Sequence, residues 1–249
     1  MTGSGGGTLD GRVAIVTGSS SGIGAAIARS LTGLGTRVVI NSSSSVEVGR
    51  ALASELPGAV YIQADVSDER QADRLVAGAL DQLGRLDILV NNAGTTRVIP
   101  HADIDAVTTE VWEQILGVNV IGTWNVTRAA VPHLKASGDG CIVNITSLAG
   151  VRPTGSSIPY AASKAALNHL TVLLANTLGP EIRVNAVAPG LVDTPWTESW
   201  DVVRDVVNAT APLQRSGQPD DVATATVGLI LTRYATGQIL VVDGGLGLR

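Results

Sequence analysis

A doubly wound parallel α/β sheet of about seven strands, with helices on both faces, is the fold this sequence predicts. Three observations predict it. Short runs rich in Val and Ile carry no polar alternation, which marks strands buried on both faces. Longer stretches with apolar residues at helical spacing alternate with those runs along the whole chain. A glycine-rich turn joins the first run to the first helical stretch, where such sheets bind ligands.

Taken in order, the first eight residues read as a flexible tail, and Val13–Thr17 as the first strand. The helical pattern Gly22–Leu34 follows, then strand Arg37–Asn41, helix Val46–Leu56 and strand Val60–Gln63. Helix Asp68–Leu83 opens on an aspartate suited to capping the free N–H groups of a first turn. After strand Leu86–Val90 a long helical pattern, Thr108–Leu134, starts on a comparable Thr cap. Strand Cys141–Thr146, helix Pro159–Leu178 and strand Arg183–Ala186 come next. Helix Pro219–Leu231 has proline in its first turn and two aspartates behind it, a favourable start. Strand Gln238–Val242 closes the series. Residues 191–216 break the rhythm with two tryptophans, two prolines and scattered charges. A segment of that kind is expected to be a lid or binding loop over a single domain spanning 9–249.

Composition excludes several classes. With 249 residues and 45% apolar content the chain can bury a sizeable core. A net charge of −5 with 16% charged residues is the wrong balance for nucleic acid. The single cysteine, Cys141, lies inside an apolar run and is expected to be a buried, inert thiol. His101, His133 and His169 lack neighbouring Cys or His, so no metal site is expected. No apolar run is long enough to span a bilayer, and the first residues are Gly, Ser and Thr rather than a basic-then-apolar leader. A cytoplasmic setting without membrane or nucleic-acid partners is the expectation.

The chemistry-bearing residues collect at strand ends. The first strand runs into Thr17-Gly18-Ser19-Ser20-Ser21-Gly22-Ile23-Gly24, whose glycines permit a tight turn and point N–H groups from a helix N-terminus at a pyrophosphate. The spacing differs from the usual G-x-G-x-x-G, and no Lys-Ser/Thr follows as a Walker loop requires. Asp65-Val66 ends the third strand, Asn91-Asn92-Ala93-Gly94 the fourth, Ser147 the fifth and Pro189-Gly190 the sixth. Each alone is ordinary turn chemistry; along one edge they fit a long ligand. Tyr160 and Lys164 are four residues apart and so share a helix face, in a chain with three tyrosines and two lysines. A fixed cation beside a phenol lowers its pKa toward the range of a general acid–base.

On these residues, with Asn119, the chain resembles the classical short-chain dehydrogenase/reductases over nearly its full length, most closely the members similar to 3-oxoacyl-carrier-protein reductases. The resemblance implies that Tyr160 exchanges a proton with a ketone or alcohol and that Lys164 binds the nicotinamide ribose and lowers the tyrosine pKa. It implies that Ser147 holds the substrate oxygen and that Asn119 holds a water linking Lys164 to solvent. Asn92, Ala93, Gly94, Val192 and Thr194 would line the adenosine-ribose and nicotinamide positions, and Asp65 and Val66 the adenine. Read on its own, Asn119 could equally satisfy itself against a helix carbonyl.

An acidic residue at the end of the second strand favours NAD by bonding the ribose 2′-hydroxyl. Here Asn41-Ser42-Ser43-Ser44-Ser45 stands there, so NADP(H) is favoured and NAD(H) is admitted, although Ser21 replaces the arginine that NADP-preferring relatives carry. The expected activity is reduction of a ketone, or oxidation of a secondary alcohol. The alternatives are 3-oxoacyl-carrier-protein reduction and a dinucleotide-binding redox sensor without turnover. An enoyl reductase would space Tyr and Lys more widely, and an extended epimerase would need a larger C-terminal domain. Trp196 and Trp200 suggest a hydrophobic or aromatic ketone, and Arg128 and Arg152 are the candidates for meeting a carrier protein. Apolar residues around the helices 108–134 and 159–178 suggest a homotetramer, or a homodimer.

Overall fold

Successive strand residues face opposite sides of the sheet, and here both sides are apolar. The computed structural model describes residues 9–248. Met1–Thr8, expected as a tail, lies outside the described residues. In β1 (Val13–Val16), Ala14 and Val16 enter one core layer while Val13 and Ile15 enter the other. β4 (Ile88–Asn91) and β5 (Gly140–Ile145) divide their residues in the same way. Such strands are stable only with helices on both faces.

The sheet has seven parallel strands in the order β3-β2-β1-β4-β5-β6-β7, with β2 (Arg37–Ser42), β3 (Val60–Gln63), β6 (Ile182–Pro189) and β7 (Ile239–Val242). Ala14 pairs with Val38 on one side and with Ile88 on the other, so the order reverses between β1 and β4. One face is covered by α1 (Gly22–Gly33), α2 (Val46–Glu55) and α8 (Pro219–Leu231). The other is covered by α3 (Glu69–Leu83), α5 (Thr123–Ser137) and α6 (Ile158–Leu178).

Local signals explain most boundaries. Asp68 caps α3 by accepting from the Gln71 N–H at 3.0 Å, and Gln218 with Asp221 forms a reciprocal cap on α8. At the far end of α8, the Arg183 guanidinium donates to the carbonyls of Leu229, Ile230 and Thr232, satisfying groups the helix leaves free. Thr108 precedes its helix as expected, but its side chain makes no capping bond to the backbone.

Two expectations change. The long helix of 108–134 is continuous but not uniform: α4 (Thr109–Leu116) passes into a π-helical turn, Gly117–Gly122, before α5. Asn119 lies within that turn. The irregular segment 191–216 contains a 3₁₀ turn, Pro195–Thr197, and a regular helix, α7 (Asp201–Thr210). Asp201 in its first turn and valines at 202, 203, 206 and 207 support that helix, a pattern obscured in the sequence by the neighbouring Trp and Pro residues. No helix among the described residues is long and apolar enough to cross a membrane.

Cys141 is fully buried in β5, and burial pushes its thiol up to about 11. The native protein should therefore resist a disulfide-exchange reagent at about pH 8, with its one thiol appearing only on denaturation. Fast labelling of the folded protein would contradict this placement.

Candidate active site

The carboxyl ends of β1, β2, β4, β5 and β6 border a cavity of about 980 Å³ outside the switch point. Every residue predicted from sequence for the site lines it, except Gly24 and Asn119.

At one end the turn after β1 interlocks with the turn after β4. Thr17 Oγ1 accepts from the N–H groups of Asn92 and Ala93, both at 3.0 Å. Asn92 returns both amide hydrogens to the carbonyls of Thr17 and Gly18, at 2.9 and 3.0 Å. This approach explains two glycines. Gly18 has φ +60°, and a Cβ there would stand 2.8 Å from Ala93 Cα. A Cβ on Gly24 would meet Asn92 Nδ2 at 2.5 Å and the Gly18 carbonyl at 2.7 Å. Gly24 therefore belongs to the seam beneath the turn, and the Asn92 amide to the joint that braces it. What remains open is backbone N–H at the start of α1, the shape a pyrophosphate requires.

Asn41 is fully buried and closes the same joint. Its Oδ1 accepts from Gly18 N–H at 3.2 Å, and its amide donates to the carbonyls of Ile62 and Ala64, both at 3.1 Å. Both amide hydrogens are thus engaged inside the protein, so Asn41 frames the cavity wall without a donor to offer a ribose. The first side chain turned toward that end is Ser42, whose hydroxyl pairs with the Tyr61 hydroxyl at 2.9 Å. Tyr61 was not legible as a neighbour of the site, because only the β2–β3 register, which sets it opposite Ile40, brings its hydroxyl diagonally to Ser42. Asp65 turns inward on itself, accepting from the Ser67 N–H and hydroxyl at 2.9 and 2.7 Å.

At the other end α6 begins. Ser157 caps it, and Pro159 sits in its first turn with Tyr160. The 3₁₀ turn after β5 (Leu148–Gly150) packs on α6 so closely that a Cβ on Gly150 would lie 2.6 Å from the Lys164 backbone. That contact brings Ser147, the cap of the turn, to the phenol of Tyr160. Lys164 is only 3% exposed. Its ammonium donates to the Ile145 carbonyl at 2.9 Å and stands 5.7 Å from the centre of the Tyr160 ring.

Asn119 stands behind this group. Its amide holds the backbone of Thr95 in both directions, accepting from its N–H at 2.7 Å and donating to its carbonyl at 3.0 Å. It also donates to the Ser163 hydroxyl at 2.9 Å, which in turn donates to the Tyr160 carbonyl at 2.7 Å. A Cβ on Gly94 would lie 3.4 Å from Asn119 Oδ1 and 3.6 Å from Lys164 Nζ, so the three residues converge. The π turn directs Asn119 at the site, a frequent use of that irregularity. Ser163 links Asn119 to Tyr160 and Thr95 ties it to the turn after β4, and neither carries a sequence signal of its own.

Burial governs the titrations. It raises Tyr160, with the neighbouring Ser147 hydroxyl pulling the other way. It lowers Lys164 to about 8. The expected depression of the tyrosine by the lysine is not the direction found, because the ammonium is directed at Ile145 and desolvation of the phenol outweighs the rest.

Comparison with known proteins decides the family. The model of a family described as enoyl-(acyl carrier protein) reductase matches residues 18–247. "Granaticin polyketide synthase putative ketoacyl reductase 2" of Streptomyces violaceoruber is 58% identical over 239 residues, 95% of this chain and 96% of the relative. The 3-oxoacyl-[acyl-carrier-protein] reductase FabG of Thermotoga maritima is 37% identical, over 96% of this chain and 98% of its own. The crystal structure of a "putative short-chain dehydrogenase/reductase" from Burkholderia xenovorans superposes with a TM-score of 0.90 at 38% identity, covering 96% and 98% of the two chains.

The chain belongs to the short-chain dehydrogenase/reductase family. It is an oxidoreductase of ketones and secondary alcohols that uses a nicotinamide dinucleotide. The glycine turn leading into the N-terminus of α1 and the volume of the cavity fit that cofactor.

Two outcomes test the geometry of this oxidoreductase. Asn41→Ala removes the acceptor of the Gly18 N–H and one donor each from the Ile62 and Ala64 carbonyls, so urea denaturation should show a loss of about 2–4 kcal/mol; a change under about 0.5 kcal/mol contradicts the joint. Lys164 titrates at about 8 folded, against the usual 10.5. Between those values the unfolded chain binds more protons, so this lysine makes the fold more stable as pH rises through that window. The stability of wild type relative to Lys164→Met should therefore increase from about pH 8 to about pH 9.5; a flat difference contradicts it.

Proposed function

We propose that this protein reduces a hydrophobic or aromatic ketone, of the kind formed in polyketide assembly, to a secondary alcohol, with NADP(H) favoured and NAD(H) accepted. The observation that carries the reading is the meeting of Ser147, Tyr160 and Lys164 at one end of a cavity whose other end is a glycine cradle. The ketoacyl reductase of the granaticin polyketide synthase supports the substrate class.

The dinucleotide, when bound, supplies or accepts the hydride at the carbonyl carbon. Ser147 would hold the carbonyl oxygen, and Tyr160 would give that oxygen its proton; in the reverse direction Tyr160 would take it back. Lys164 would bind the ribose hydroxyls and place a buried positive charge beside the phenol, favouring the phenolate left after proton transfer. Asn119 acts as a positioning residue, since its amide is engaged with Thr95 and Ser163. Gly18, Ser20, Ser21, Gly22 and Ile23 would receive the pyrophosphate. Val192, Thr194, Pro189 and Gly190 would border the nicotinamide.

Support for NADP(H) is the run of hydroxyls from Ser42 to Ser45, with no carboxylate at the end of β2 to repel a 2′-phosphate. Among the described residues no Arg or Lys lines that end, so the preference rests on hydroxyl and backbone donors. A carrier-tethered substrate is the second reading, favoured by the Thermotoga maritima relative. The two arginines considered for a carrier are otherwise engaged: Arg128 pairs with Glu69 and Asp73, and Arg152 donates to the Gly247 carbonyl at 2.9 Å. A homotetramer in a cytoplasmic setting completes the proposal, supported by Ile121, Trp124 and Leu173, each about half exposed on the helices flanking the site.

Tyr160→Phe should bind the dinucleotide normally and lose activity by about 10²-fold or more in kcat across a ketone panel run with both cofactors. Retained turnover would remove Tyr160 as the acid–base, and dinucleotide binding without turnover of any ketone by wild type would favour a sensor.

A further inference from the structure

Trp196 is an apolar side chain left 46% exposed on one of the most heavily braced turns in the molecule. Thr194 and Thr197 cap that turn reciprocally, and the Thr197 hydroxyl donates to the Val192 carbonyl at 2.6 Å. From α7, Arg204 donates to the Thr197 carbonyl at 3.0 Å and to Asp193 at 2.8 Å. Asp193 also accepts from Ser216 and Gln218, at 2.6 and 2.9 Å. These bonds hold down both sides of the turn, so Trp196 is presented by a rigid bracket.

The direction of presentation is specific. The indole stands edge-to-face with Tyr160, ring centres 6.3 Å apart at 82°. It lines the cavity together with Trp200 and with Val202, Val203 and Val207 of α7. An exposed tryptophan is poorly hydrated, and edge-to-face or offset contacts with another ring add to the area it buries. The charge of the walls narrows the ligand further. Among the described residues lining the cavity Lys164 is the only cation, and it is buried; Asp65 and Asp201 are the only anions. No group there pairs with a carboxylate or phosphate on the substrate.

We infer that Trp196 is the specificity-determining wall of this reductase and that it selects neutral ketones with an aryl ring bonded to, or fused beside, the reacting carbonyl. This rests on the ketone-reductase reading above. With its oxygen held at Ser147 and Tyr160, a ketone would have one of its two substituents within reach of the indole, which meets the Tyr160 ring. An aryl substituent spans that gap and packs on Trp196, while a methyl or short alkyl group leaves the indole wet. The bracket makes the wall selective, because its position costs the substrate no ordering of the loop.

The test is the ratio of kcat/KM for a bicyclic aryl ketone, α-tetralone, to that for an acyclic methyl ketone, measured with wild type, Trp196→Ala and Trp196→Phe. The ratio should fall roughly tenfold in Trp196→Ala, mainly through KM for the bicyclic ketone, and recover to near wild type in Trp196→Phe, which keeps a ring in place. An unchanged ratio in Trp196→Ala, or an equal loss on both ketones, overturns the assignment. If wild type turns over neither ketone with either dinucleotide, the ketone-reductase reading itself fails, a result distinct from turnover without selectivity.

Discussion

A lysine ammonium buried beneath the protein surface and directed at one backbone carbonyl is the constraint around which this site is arranged. Removing a charge from water is unfavourable unless it is hydrogen-bonded, and Lys164 is held by the Ile145 carbonyl with burial lowering its pKa to about 8. The fold makes that position available. Ile145 ends β5, Lys164 lies nearly two turns into α6, and the crossover between them must be tight. Gly150 permits it, since any side chain there would strike the helix backbone. The same crossover delivers Ser147 to Tyr160.

The remaining parts serve to hold the two ends of the cavity at a fixed separation. At the glycine-turn end, Thr17, Asn41 and Asn92 join three strand ends through their side chains, with both side-chain amides engaged. At the substrate end, Asn119 connects the strand-four turn to the first turn of α6 through Thr95 and Ser163. Much of the polar chemistry suggested by the sequence is therefore structural support for a smaller set of groups that face the cavity. Buried polar groups that are fully bonded are rigid, and rigidity is what a positioned acid–base requires.

Legibility in the sequence followed distance along the chain. The strands, the glycine turn and the Tyr160–Lys164 pair depend on periodicities of a few residues, and they stand where the pattern put them. The cap at Asp68 and the start of α8 were readable for the same reason. α7 was not, because its four valines are flanked by the tryptophans and prolines that mark an irregular segment. Nor could local pattern reveal that the Asn41 amide is wholly engaged with Gly18, Ile62 and Ala64 while the Ser42 hydroxyl meets Tyr61: those partners come from the neighbouring strands. The π turn at Asn119 and the meeting of Trp196 with Tyr160 are tertiary facts, with no counterpart in spacing.

In the function proposed above Lys164 would serve Tyr160 through the dinucleotide ribose, so that burial would dominate the phenol in the free protein and the cation would dominate in the complex. With three tyrosines in the chain, ultraviolet difference titration of tyrosinate, using Tyr160→Phe as the blank, isolates this one group. Tyr160 should ionise above the ordinary tyrosine range in the free protein and move well below it when dinucleotide is saturating, and Lys164→Met should abolish the shift. A Tyr160 titration unchanged by dinucleotide would contradict it.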